Sequence, residues 1–282
     1  MRCQWEAYIK LLPGWLQEPV NRLGRDALTE LRLRIGQPPQ LILMSRSIWL
    51  GQPVTKEDID FCINIASQYS PWTTETMAHG FITAAGGHRI GICGETIMHD
   101  GKCAGFCKVT SLCIRVARDI PGLADKLNNI HGSILIIGPP GSGKTTLLRD
   151  LIRLQSACQQ GSIAVLDERN ELFPFSNGKM CFELGPKTDV LNGCSKAVGI
   201  DMLIRCMGPA VIAVDEITAS TDCTALVQAC WCGVKILATA HAFNKEDLYQ
   251  RAVYRPLVEN SLFQNLIILQ QDKSWYHERM GT

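Results

Sequence analysis

The sequence predicts an α/β architecture, a mostly parallel sheet with crossover helices, preceded by a smaller α+β unit. Three observations predict it. From Ser133 onward, short apolar runs alternate with helix-like segments: Ser133–Ile137, Ser162–Asp167, Val211–Asp215, Lys235–Thr239 and Leu266–Leu269. Before Arg118 the runs are shorter, alternate between apolar and polar residues, and are separated by glycine and proline turns. Between the two regimes Arg118-Asp119-Ile120-Pro121-Gly122 breaks both patterns, so the expected domains are residues 1–120 and 121–282.

In the first unit, Trp15-Leu16, Val20, Leu23, Leu28 and Leu31 suggest short helices, and Leu31-Arg32-Leu33-Arg34-Ile35 then alternates as a half-buried strand does. Gly36-Gln37-Pro38-Pro39 ends it. Strands are predicted at Gln40–Met44 and around Ile48-Trp49-Leu50, and Thr55 precedes Asp58 by three residues, a capping-box pair opening a helix through Ile59, Ile63 and Ala66. A further helix is predicted over Trp72–His79, then strands at Gly80–Thr83, Gly86–Gly94 and Ser111–Val116. The glycines at 86, 87, 91 and 94 lack the following helix that a phosphate loop requires, so hairpin turns and close backbone approach are predicted there. Leu123–Ile130 reads as a short helix leading into the strand Ser133–Ile137.

At 282 residues, with 46% hydrophobic and 20% charged content, the chain has room for a sizeable core in one large or two ordinary domains. A formal net charge of +1 without a Lys/Arg block argues against nucleic acid as the partner. Thirteen cysteines are odd in number and scattered, and no secretory signal opens the chain, so reduced thiols in a cytoplasmic setting are expected. Cys103, Cys107 and Cys113 with His99, or Cys230 with Cys232, lack the spacing of a metal site. No apolar run approaches the ~18 to 20 residues that cross a bilayer, so work at a membrane would depend on other proteins.

The chemistry is carried by Gly138-Pro139-Pro140-Gly141-Ser142-Gly143-Lys144-Thr145, set between an apolar strand and a helix that continues through Thr146. The run fits G-x-x-x-x-G-K-[ST], in which backbone amides of a glycine-rich turn converge on phosphate. Lys144 supplies a charge for the outer phosphates and the Thr145 hydroxyl a magnesium ligand, so the expected cofactors are ATP and Mg2+. A plain turn would gain nothing from a lysine and threonine directly after its last glycine. Ala210–Val214 is a fully apolar strand ending in Asp215-Glu216, a Walker B pattern: Asp215 would hold the magnesium shell and Glu216 would polarise a water in line with the terminal phosphate. The next strand ends Thr239-Ala240-His241, where Thr239 or His241 is placed to sense the terminal phosphate, though a lone histidine also fits a structural role. Asp167-Glu168-Arg169-Asn170-Glu171 reads either as acids orienting water or as a solvated loop with a local Glu-Arg pair.

These stretches, with Leu31–Gly36, Gly86–Gly91, Ile114–Arg118, Asp189–Leu191, Ile204-Arg205 and Pro209, carry a specific resemblance from about residue 30 to about residue 245. The chain resembles the stage III AA family of mother-cell sporulation ATPases, itself similar to the type II and type IV pilus secretion ATPases. The resemblance implies a RecA-like P-loop NTPase domain after the α+β unit, and an ATP-hydrolysing motor working in a homo-oligomeric ring, a hexamer by analogy. It further implies membrane proteins of a sporulation channel as partners, and a place peripheral to the mother-cell membrane around the forespore. It makes Glu168 and Glu171 members of an acidic "Asp box" and His241 of a "His box", and it marks Arg89, Arg115 and Arg118 as candidates to reach a neighbour's nucleotide, the alternative being that they pair with surface acids or stabilise the domain junction. Two departures stand out: secretion ATPases commonly carry Gly-Glu where this chain has Asp215-Glu216, and Thr218 stands where the sporulation pattern has glycine, which puts the loop after Glu216 in question. An ATP-binding scaffold with little turnover and a DNA-dependent translocase are the alternative readings.

Overall fold

The computed structural model describes residues 1–67, 77–158, 161–176 and 179–280. Most of the helix predicted over Trp72–His79 lies outside them. Packing divides the chain into two compact units, Met1–Arg118 with Pro174–Cys181, and Asp119–Phe173 with Phe182–Thr282. Pro174–Cys181 comes from a stretch that the sequence reading assigned wholly to the second domain.

The first unit opens with helices α1 (Trp5–Lys10) and α2 (Gly14–Leu23), followed by strands β1 (Leu28–Arg34), β2 (Gln40–Leu43) and β3 (Ser47–Trp49). Helix α3 (Lys56–Ser67) begins at a reciprocal capping box, the Asp58 carboxylate accepting from the Thr55 amide and the Thr55 hydroxyl from the Asp58 amide. Strands β4 (Phe81–Thr83), β5 (Arg89–His99) and β6 (Lys102–Arg115) complete an antiparallel sheet of order β3-β2-β1-β6-β5-β4. Beyond Gly94 the β5–β6 hairpin runs on as a largely exposed ribbon that the predicted short strands did not include. Gly86 and Gly87, both at positive φ, form a close approach and no phosphate loop: a Cβ on Gly86 would lie 2.8 Å from that of Gln4, and one on Gly87 3.0 Å from Pro174 Cγ.

In the second unit the helix expected over Leu123–Ile130 is only a 3-10 turn at Asp125–Leu127. Strand β7 (Ile134–Ile137) leads through the glycine-rich loop into helix α4 (Lys144–Cys158), and β8 (Ile163–Asp167) follows. The short strands β9 (Phe175–Ser176) and β10 (Lys179–Met180) pair with each other in the segment that belongs to the first unit. Next come β11 (Thr188–Asn192), helix α5 (Lys196–Met207), β12 (Val211–Ile217), helix α6 (Ser220–Trp231) and β13 (Lys235–Ala240). Helices α7 (Lys245–Gln250) and α8 (Arg255–Glu259) precede β14 (Asn265–Leu269) and β15 (Trp275–Arg279). The sheet order is β11-β8-β12-β13-β7-β14-β15, parallel except for β15. All four residues of β7 and all five of β8 and β14 are buried, the pattern of strands covered on both faces.

Candidate active site

The strand order decides which side chains meet. In space β13 lies between β7 and β12, and β8 flanks β12 on the other side. Segments leaving the carboxyl ends of these four parallel strands therefore converge, the place where open α/β sheets hold ligands. From β7 comes the glycine-rich loop, with Gly141 and Gly143 at positive φ. Its Lys144 is buried, and the ammonium donates to the carbonyls of Gly138 (2.8 Å) and Pro139 (2.9 Å) and to Nδ1 of His241 (3.2 Å). Burial pulls this lysine below its ordinary range, while Asp215 and Glu216 oppose the shift.

At the end of β12 the register against β13 slips. Val214 faces Ala238 and Ile217 faces Ala240, so two residues, Asp215 and Glu216, stand opposite the single Thr239. This is a β-bulge, and it carries Glu216 to φ +52, a conformation that costs a non-glycine residue about 1–2 kcal/mol. The Thr239 hydroxyl closes it, accepting from the Glu216 amide (2.7 Å) and donating to Oδ1 of Asp215. Thr239 is 1% exposed, and its hydroxyl is committed to these two residues. The other oxygen of Asp215, Oδ2, accepts from the Thr145 hydroxyl at 2.8 Å. The loop after Glu216 needs no glycine at 218, because Asp222 Oδ2 takes the amides of Thr218 (3.1 Å) and Ala219 (3.2 Å), and the positive φ falls on Glu216.

His241, just past β13, bridges the two flanking strands. Its Nδ1 accepts from Lys144, so Nε2 carries the proton it gives to Glu216 Oε1 at 2.9 Å. From the β8 side Arg169 donates to Glu216 Oε2 at 2.8 Å. Arginine 169 is thus paired with a residue 47 positions away in place of the local glutamate expected from sequence. Glu168 pairs with Lys196 at 2.6 Å, and that lysine, at the start of α5, is 4% exposed and lies 4.0 Å from Asp222. Asp167 is buried and accepts the amides of Glu171 (2.8 Å) and Phe173 (2.9 Å), which folds the acidic loop back on itself. Burial raises its carboxyl to about 6, against the pull of the Phe173 and Leu172 amides. Asp167, Glu168, Arg169, Glu171, Lys196, Asp215 and Glu216 line a cavity of about 20 Å3, room for one water.

Sequence reasoning named Glu168, Glu171, Asp215, Glu216, His241 and the loop 138–146; it missed Arg169, Lys196, Asp222 and Arg149. Buried on α4, Arg149 donates to the carbonyls of Glu171 (2.8 Å) and Leu172 (2.5 Å) and lies 4.2 Å over the Phe182 ring. Nothing in the local sequence distinguishes these residues from solvated charges. Arg89, Arg115 and Arg118 belong to the first unit, where Arg89 stacks on Phe81 (4.1 Å), Arg115 pairs with Glu30 (3.4 Å) and Arg118 donates to the carbonyls of Arg25 (2.6 Å) and Leu28.

The donors suit a nucleotide with a hard cation. Ser142 Oγ is buried in the loop with no hydrogen-bond partner among the described residues. A hydroxyl and a single carboxylate, Thr145 and Asp215, are the oxygen ligands that Mg2+ takes together with phosphates and water. Among the described residues no group of three or more His, Cys, Asp or Glu side chains is arranged to hold a metal by itself.

The sequence profile of the family described as "Sporulation stage III, protein AA" matches residues 13–278. The chain belongs to that family. It is 37% identical over 277 residues to the stage III sporulation protein AA of Bacillus subtilis (strain 168), covering 94% of this chain and 90% of the relative. Among solved structures it is similar to the pilus retraction motor PilT with bound ADP (TM-score 0.64, 15% identity, 94% of this chain and 83% of that one). The ATPase DotB of Yersinia pseudotuberculosis is similar too (TM-score 0.62, 16% identity, 95% and 79%). These likenesses give the fold: a RecA-like P-loop domain with a smaller α+β unit. No helix among the described residues is long and apolar enough to cross a membrane.

Proposed function

We propose that this sporulation-family protein binds ATP in the loop Gly138–Thr146 and hydrolyses it with Mg2+. The observation that carries the reading is the convergence of Lys144, Thr145, Asp215, Glu216 and His241 at the carboxyl ends of three adjacent strands, β7, β13 and β12. Lys144 and the loop amides would bind the phosphates, while Thr145 and Asp215 would hold Mg2+, which when bound neutralises charge on the phosphates. Glu216, aimed by the bulge, accepts the proton of a water held in the adjoining cavity, and His241 orients the Glu216 carboxylate. Glu168 and Glu171 shape that cavity from the acidic loop.

The reading extends to a secretion-type motor, a homo-oligomeric ring that energises a membrane-associated transport complex between mother cell and forespore. It would lie in the cytoplasm against the mother-cell membrane. Family membership and the likeness to pilus and secretion ATPases support this. Arg89, Arg115 or Arg118 of one subunit would then complete a neighbour's site; of the three, Arg115 is the exposed one, its side chain 61% open to solvent.

The test is steady-state ATP hydrolysis against protein concentration, with and without Mg2+, beside nucleotide binding measured by titration. Lys144→Ala is expected to lose binding with the fold intact, and Glu216→Gln to bind ATP but turn it over poorly. Wild-type ATP affinity in folded Lys144→Ala protein would sink the assignment. Mixing Glu216→Gln with Arg115→Ala subunits should restore partial activity if the arginine acts across an interface.

A further inference from the structure

Two of the cations near the site, Lys196 and Arg169, are ion-paired to its acids, and they differ in kind. Lys196 is buried and held by Glu168 with Asp222 nearby, whereas the Arg169 side chain is 50% exposed and donates to Glu216 alone among the acids. Both oxygens of Glu216 are thereby taken, Oε2 by Arg169 and Oε1 by His241. The residue assigned to water activation is held at both oxygens, on one side by a guanidinium.

The contact is also linked to the phosphate loop. The three protons of the Lys144 ammonium are spent on Gly138, Pro139 and His241, and the same imidazole holds Glu216. Phosphate entering the loop would compete with His241 for Lys144. Its multiple charge competes with a single carboxylate for a half-exposed guanidinium, which bonds phosphate bidentately and strongly. A lysine in the place of Arg169 would offer a point charge without that fork.

We propose that Arg169 is a latch: it holds the Glu216 carboxylate in the nucleotide-free subunit and gives it up when a triphosphate fills the loop. Its effect on turnover rests on the hydrolytic role of Glu216; the contact and its release do not. An ion pair this exposed restrains the base by no more than about fivefold, which is what about 1 kcal/mol amounts to.

Four full-length proteins test it: wild type, Arg169→Gln, Glu216→Gln and the double variant. Urea unfolding midpoints are measured with and without a non-hydrolysable ATP analogue and Mg2+. The two substitutions are expected to be non-additive without nucleotide and additive with it. At saturating ATP and low salt, Arg169→Gln should raise kcat about two- to fivefold with KM little changed, and the ratio to wild type should shrink toward one as salt screens the pair. Arg169→Lys, which keeps the charge, should fall between the two, and it replaces Arg169→Gln if that variant does not fold. Additive midpoints in the nucleotide-free protein overturn the latch, as does a fall in kcat on replacing Arg169. Midpoints that behave as expected while no variant hydrolyses ATP uphold the latch and overturn the hydrolytic reading instead.

Discussion

At the scale of single residues, Glu216 pays for its position with its backbone. A left-handed φ at a glutamate inverts the ordinary order of substitutions, because glycine adopts that region freely and alanine does not. Glu216→Gly is therefore expected to be more stable than Glu216→Ala by about 1 kcal/mol, whereas in an ordinary strand it would be less stable by a similar amount. Denaturant midpoints of the two variants check this. Thr239 is the second such residue. Thr239→Val keeps the shape but removes the hydroxyl that ties Asp215 to the Glu216 amide. It should cost about 1–3 kcal/mol for the partners left unmet, and cut turnover about tenfold to a hundredfold by misplacing the acids, with ATP affinity little changed. Steady-state kinetics beside a binding titration separate the two effects. The acids themselves were legible from the sequence, because they end an apolar strand in the same domain as the glycine-rich loop. The hydroxyl that aims them was not, because its partners lie 23 and 24 residues away and only the pairing of β12 with β13 brings them together.

At the scale of elements, the five apolar runs of the second unit were legible because burial on both faces keeps their interiors almost wholly apolar. Strand β11, Thr-Asp-Val-Leu-Asn at the sheet edge, gives no such signal, and neither does β15 with its Trp-Tyr-His-Glu-Arg. The spatial order was equally hidden, yet it explains the site. Because β13 separates β7 from β12, His241 reaches both Lys144 and Glu216, and because β8 lies beyond β12, the acidic loop brings Arg169 to the far oxygen. Helix α4 sets that loop from below through Arg149, which is 5% exposed and donates to two consecutive loop carbonyls. Arg149→Met keeps most of the volume and loses the donors, so it should destabilise the second unit by about 3 kcal/mol and lower turnover without abolishing nucleotide binding. Thermal unfolding with and without ADP measures the first, and hydrolysis at saturating ATP the second.

At the scale of the whole molecule the two units answer acid with opposite signs. In the first, His88 is buried between the Gln4 carbonyl and the Ala117 amide, and burial lowers it to about 4. Its contribution is complete above the unfolded value near 6.5 and is lost as pH falls toward 4, by about 3 kcal/mol in all. In the second, Asp167 is raised to about 6, so the folded form holds its proton more tightly than the unfolded one. That unit loses stability as pH rises from about 4 to about 6 and recovers it in the other direction. Hydrogen exchange resolved by segment should show the first unit loosening and the second tightening between pH 6.5 and 4.5, and Asp167→Asn should remove the second trend. The division of the chain also sets an order of events during synthesis. Pro174–Cys181 belongs to the first unit, and the positive-φ Gly87 leaves room for Pro174 against it. The amino-terminal unit therefore cannot be finished when its first 118 residues leave the ribosome. It waits until residue 181 has emerged, by which time the phosphate loop is out and the acids of β12 are not. Nascent chains halted at about residue 150 should be open to protease around Gly86-Gly87, and chains long enough to expose Cys181 should be closed there.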